Sequence, residues 1–107
     1  MFTINGINWD LRLVRPNSPL LQRSDGTLTL GVTDGNTNTI YINNRLNDYM
    51  FRKVLCHEVC HALMFSYDIN IDIEFEEWVC DYVATHGFEI VDLVDKLMAV
   101  FKSKSAY

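Results

Sequence analysis

Apolar and polar residues alternate in places along residues 1–44, whereas from residue 48 onward the apolar positions recur at three- and four-residue steps. The first period suits strands and the second suits helices. Residues 2–5 and 7–14 are rich in β-branched and aromatic side chains, with Gly6 between them, and read as one strand or two short ones. Pro16, Asn17, Ser18 and Pro19 break the pattern, and Ser18 ahead of Pro19 is placed to cap a short helical turn reaching Gln22. Ser24, Asp25 and Gly26 make a turn. Residues 27–32 and 38–43 both favour β structure, and the Thr-Asp-Gly-Asn segment at 33–36 carries turn chemistry, so a hairpin is expected to lead directly into a helix.

That helix should begin at Asn47 or Asp48, whose side chains accept hydrogen bonds from orphan backbone amides, and run to about Ser66. Its core face would be Met50, Phe51, Val54, Leu55, Ala62 and Phe65. A second helix is expected after Asp72, where Glu74, Glu76 and Glu77 suit the positive end of the dipole, ending at Gly87 as a left-handed cap. A third should start at Phe88 or Glu89 and reach Lys102. Its apolar stripe would be Ile90, Val91, Val94, Leu97, Met98 and Phe101, with a Lys/Ser tail beyond. The expected class is α+β: one small domain over 1–107, with an N-terminal antiparallel sheet or hairpin and then three helices.

With 107 residues, 49% apolar and 21% charged, the chain is suited to a single packed core. A net charge of -5 with scattered Lys and Arg argues against nucleic acid as a partner. No apolar run approaches the roughly 20 residues needed to cross a bilayer, and residues 1–10 lack the layout of a secretion signal, so a cytoplasmic protein is expected. Cys56, Cys60 and Cys80 are an odd set without disulfide-framework spacing and read as free thiols.

His57, Glu58, Val59, Cys60 and His61 spell H-E-x-x-H within the strongest helical stretch. Side chains four apart share a helix face, so two imidazoles can reach one zinc ion at roughly 2.0 Å each. Glu58 lies about 100° around the helix from His57, beside the metal, where it can act as general base toward an attacking water. Chance occurrence of the pattern and a structural metal site are the bland alternatives, but structural zinc is usually closed by four ligands and rich in Cys. A catalytic site needs a third protein ligand and an open position. Glu74, Glu76, Glu77 and Asp81 are the candidates on the next helix, and Glu77 is favoured. Asp81, one turn later on the same face, would accept a hydrogen bond from the outer nitrogen of a ligating His. Glu74 and Glu76 are read as serving the helix dipole. The spacing from His61 to Glu77 leaves room for a turn and an antiparallel return.

The runs Val-Leu-Cys-His-Glu-Val-Cys-His-Ala at 54–62 and Glu-Trp-Val-Cys-Asp-Tyr-Val-Ala at 77–84, with the preceding Thr-Ile-Tyr-Ile at 39–42, resemble the ImmA/IrrE family of small gluzincin-like metallopeptidases. The likeness is to the compact forms found in phages and mobile elements, and covers about residues 27–87. It implies a minimal zincin-like fold and a zinc-dependent endopeptidase, with His57, His61 and Glu77 on the metal and Glu58 as acid/base. It further suggests a protein substrate such as a phage or prophage regulator. Cys80 stands where a small residue such as alanine is expected, and the sequence given includes no DNA-binding helix-turn-helix.

Secondary candidates have mostly structural readings. Cys56 and Cys60 are expected to be small buried hydrophobes, and Cys80 to pack against the first helix. His86, Tyr82 or Tyr67 could polarise a substrate carbonyl, although for His86, just before Gly87, a dipole interaction at a helix C-terminus is the preferred reading. The strand at 39–42 is either a backbone platform for an extended peptide or an ordinary structural strand. A chain of this size implies a shallow cleft open to a protein segment. Two rival functions are a zinc-binding interaction protein that performs no chemistry and a metal-free helical binding module.

Overall fold

The structure, a computed structural model, describes residues 1–103; the expected Lys/Ser tail falls largely on residues 104–107, outside them. Strands β1 (Phe2–Ile4), β2 (Ile7–Val14), β3 (Gly31–Asp34) and β4 (Thr39–Asn43) precede helices α1 (Asp48–Ser66) and α2 (Ile73–Ser103). Asn5 and Gly6 both adopt positive φ, 50° and 76°. This pairing matches the twist of a tight hairpin and folds β1 onto β2. Ser18 caps a 3-10 turn, Pro19–Leu21, as its position before proline predicts. At the next turn Asp25 accepts hydrogen bonds from the Thr27 amide and hydroxyl at 2.9 and 2.6 Å.

The sheet is mixed rather than antiparallel, with order β1-β2-β4-β3. β2 joins β1 through its first residues, and from Asp10 onward runs parallel to β4. Alternation in a sequence identifies a strand without stating its direction, and the segment from Arg15 to Leu30, capped turn included, supplies the crossover that a parallel pair needs. The expected hairpin is present but shifted: β3 starts at Gly31 and includes Thr33 and Asp34, so the turn falls at residues 35–38. β4 is buried along its whole length between β2 and β3, so it cannot offer an edge to a peptide. β3 is the outer strand.

α1 lies against the sheet. Trp9, Ile4, Ile40, Ile42 and Ala62 form the buried centre, with Phe51, Val54, Leu55 and Val59 packed around it. Phe65, expected in this core, is instead exposed and meets Trp9 edge-on at 6.1 Å. The Trp9 indole N–H donates to the buried Ser66 hydroxyl at 2.8 Å, fixing the end of the helix to β2. Asn47 accepts the Met50 amide at the start of α1. At its end Asp68 takes φ 55°, with Asp68 N–H on Phe65 carbonyl and Ile69 N–H on Met64 carbonyl. These two bonds close the last carbonyls and turn the chain back.

α2 returns antiparallel along the other side of α1. His61 meets Glu76 and Glu77, His57 meets Asp81, the Cys56 thiol faces the Val83 carbonyl, and Arg52 lies over the Phe88 ring. The helix does not stop at Gly87. Two helices therefore stand where three were expected, because an interior Gly costs only about 1 kcal/mol against Ala and the flanking residues continue the helical pattern. No helix among the described residues is long and apolar enough to cross a membrane.

Candidate metal centre

H-E-x-x-H occupies the middle of α1, where residues 57 and 61 stack one turn apart. Their Nε2 atoms lie 3.1 Å from each other. The Glu77 carboxylate enters from the first turns of α2, with Oε1 2.6 Å from His61 Nε2 and Oε2 3.5 Å from His57 Nε2. Ligands held tetrahedrally at about 2.0–2.1 Å from zinc would stand roughly 3.3 Å apart; the 3.1 and 3.5 Å separations are near that spacing, and the Glu77 carboxylate would have to draw back from His61 Nε2, 2.6 Å away, to share an ion with it.

The outer nitrogens face carboxylates: His57 Nδ1 is 2.8 Å from Asp81 Oδ1, and His61 Nδ1 is 2.5 Å from Glu76 Oε2. A carboxylate only accepts, so the Nδ1–H tautomers satisfy both contacts and leave both Nε2 lone pairs for a metal, whereas in the Nε2–H tautomer His61 donates to Glu77 Oε1 at 2.6 Å. His57, His61 and Glu77 are thus the residues that could hold a metal, and Asp81 is placed as expected, one turn beyond Glu77.

Glu76 is a residue that the sequence reading missed. It had been assigned to the helix dipole, yet it orients His61 as Asp81 orients His57. The signal was its position beside Glu77 on a helix whose start crosses the H-E-x-x-H turn. Thr33 was missed as well, being read as part of a turn. From β3 its hydroxyl lies 2.9 Å from both the carbonyl and Oε1 of Glu58.

Glu58 is buried, with Oε2 3.9 Å from His57 Nε2. Burial raises its carboxyl above the ordinary value of 4.5, and Glu77 adds to the rise; the Thr33 hydroxyl and the two histidines oppose it. A carboxyl that is reluctant to stay charged is suited to accept a proton and hand it on. Gly31 makes this placement possible, because a Cβ there would sit 2.9 Å from Glu58 Cγ and 2.8 Å from Val54 Cγ1. The β3 backbone therefore lies directly on α1.

Two of the cysteines follow their structural reading, and Cys56, expected to be buried, is only partly so. All three are free, Cys60 and Cys80 are buried, and burial pushes the Cys80 thiol well up, as it does that of Cys56. Cys80 occupies the place expected for a small residue and lets α2 approach α1.

His57, Glu58 and His61 line a cleft of about 840 Å³, bounded by β3 and by the start of α2, with Arg23, Met64, Ile69 and Ile73 on its walls. Tyr67, Tyr82 and His86 are not among its lining residues. The Tyr82 and His86 rings meet at a 47° tilt on the outer side of α2, and His86 sits in mid-helix rather than at a C-terminus.

The sequence profile of a family described as Peptidase_M78, IrrE N-terminal-like domain, matches residues 17–86. That span contains β3, β4, α1 and the part of α2 that carries Glu76, Glu77 and Asp81. No curated protein and no solved structure matches the chain.

Proposed function

The chain belongs to the IrrE N-terminal-like peptidase domain family, and from that premise we propose that it is a zinc-dependent endopeptidase acting on an extended segment of another protein. The observation that carries the reading is the convergence of His57 Nε2, His61 Nε2 and Glu77 within 4.8 Å of one another, with Glu58 beside them and free of the cluster.

In this reading His57, His61 and Glu77 hold the ion from one side. Zinc bound there supplies Lewis acidity, which polarises a carbonyl oxygen and makes water a nucleophile near neutral pH. Glu58 takes the proton of the attacking water and returns it to the departing amine nitrogen. Thr33 keeps the Glu58 carboxylate turned toward the cleft, while Asp81 and Glu76 fix the two imidazole rings.

The free edge of β3 borders the cleft, so a peptide aligned along it would lay its backbone across the centre. We assign the substrate to an unfolded or exposed protein segment, and the family resemblance favours a phage or prophage regulator as its source. Three unpaired thiols suit a reducing compartment, and we place the activity in the cytoplasm.

A peptide-library digest read by mass spectrometry tests the proposal. Zinc-loaded wild type is expected to cleave internal bonds, while Glu58→Gln binds zinc equally and cleaves about 10²–10⁴-fold more slowly. Equal cleavage by the two proteins, or none by wild type, would overturn it.

A further inference from the structure

Away from the metal centre, α2 carries a second surface. Phe75, Trp78, Tyr82 and His86 form an exposed ladder, with ring centroids 6.1, 5.4 and 5.0 Å apart in succession. At the same three- and four-residue steps the ladder continues into Ile90, Leu93, Leu97 and Phe101, all exposed. Trp78 shows 60% of its surface to solvent, Leu93 55% and Phe101 59%. The side of α2 that faces α1 is a different one, built on Cys80 and Ala84.

This spacing is that of a helix–helix seam. Residues 88–102 are all exposed, and covering an amphipathic face is what most stabilises a helix of such length in water. The exposed apolar area along the stripe is roughly 700 Å² per chain, close to the ~800 Å² per partner of a stable complex.

Charge selects the partner. At the start of α2, Asp72 and Glu74 are acidic residues not engaged with the imidazoles as Glu76, Glu77 and Asp81 are, while the last turns carry Lys96 and Lys102. An antiparallel copy sets the basic end of each helix near the acidic start of the other and opposes the two helix dipoles. A parallel copy would place acidic start against acidic start. An anionic membrane is disfavoured, because Glu89, Asp92 and Asp95 dominate the polar side, where such helices carry Lys and Arg.

We propose that the stripe from Phe75 to Phe101 is a homodimer seam, on which the α2 helix of a second copy packs antiparallel. The inference is independent of the peptidase reading, since none of the stripe residues lines the centre.

Analytical ultracentrifugation of the full chain tests it. Wild type is expected to be dimeric at about 10 µM, and the double variant Leu93→Glu/Leu97→Glu to associate at least about 100-fold more weakly. Lys96→Glu should weaken the dimer several-fold at low salt, and adding Glu74→Lys should restore it. A wild type monomeric at about 100 µM, a double variant that still dimerises, or flotation of the chain with phosphatidylcholine/phosphatidylglycerol vesicles in place of dimerisation would overturn the proposal. Failure of the charge exchange to restore association would overturn the antiparallel order.

Discussion

From Ile73 to Gly87, α2 turns small and acidic side chains toward α1, with Cys80 and Ala84 buried and Glu76, Glu77 and Asp81 on the imidazoles; from Phe88 onward the same helix holds bulky apolar side chains out to solvent. The first half has an antiparallel neighbour at every turn. The second half has outrun it, because α1 begins at Asp48 and Arg52 already lies opposite Phe88. Where α1 is present, close approach by small residues brings carboxylates onto the histidines; where α1 is absent, the amphipathic pattern is left exposed, and this is the face proposed above as a dimer seam.

The sharpest way to break this division is at the centre itself. His61→Ala should abolish stoichiometric zinc and all cleavage, read by elemental analysis and digestion, and should leave sedimentation unchanged. Glu58→Gln should retain zinc and lose about 10²–10⁴-fold in rate. That variant also has a stability signature in the metal-free protein. Since burial raises the folded Glu58 carboxyl above its ordinary 4.5, the folded chain holds that proton more tightly than the unfolded chain. The stabilisation is full below about 4.5 and is lost as pH rises through the raised folded value. Metal-free Glu58→Gln should therefore melt above wild type at neutral pH, with the gap closing near pH 4.

Glu76→Gln and Asp81→Asn should each weaken zinc binding by about 10–100-fold in a competition titration. The larger loss is expected at Glu76, whose side chain is 18% exposed against 73% for Asp81, because an exposed carboxylate is better screened. Substitutions at Leu93 and Leu97 should leave zinc affinity per chain unaltered. The smallest effect sits at the join of the halves. Gly87→Ala should stabilise by about 0.5–1 kcal/mol, with its new methyl in ordinary contact with Val83 Cγ1 at 3.4 Å. A Gly87 acting as a left-handed cap would give the opposite sign in a thermal melt.

The join is also where sequence reasoning failed, and the reason is energetic. A glycine weakens a helix by about as much as a single good side-chain contact strengthens it, so a lone Gly87 with no following proline cannot mark an end. What could be read was local: the Asn47 cap, the extent of α1, the Ser18 turn, and the one-turn spacings that join His57 to His61 and Glu77 to Asp81. What could not be read depended on the meeting of distant segments. The parallel pairing of β2 with β4, the placement of Phe65 at the rim and the use of Thr33 on Glu58 are set by how the sheet crosses α1. Glu76 fell between these classes, its dipole role being sufficient until α2 was seen to start over His61.

Zinc K-edge X-ray absorption on the stoichiometrically loaded protein reads the centre most directly. The account predicts scattering from two imidazoles and carboxylate oxygen at about 2.0–2.2 Å, with one imidazole lost in His57→Ala and in His61→Ala, and the carboxylate contribution reduced in Glu77→Ala. A spectrum dominated by sulfur at about 2.3 Å, or one unchanged by all three substitutions, would contradict it.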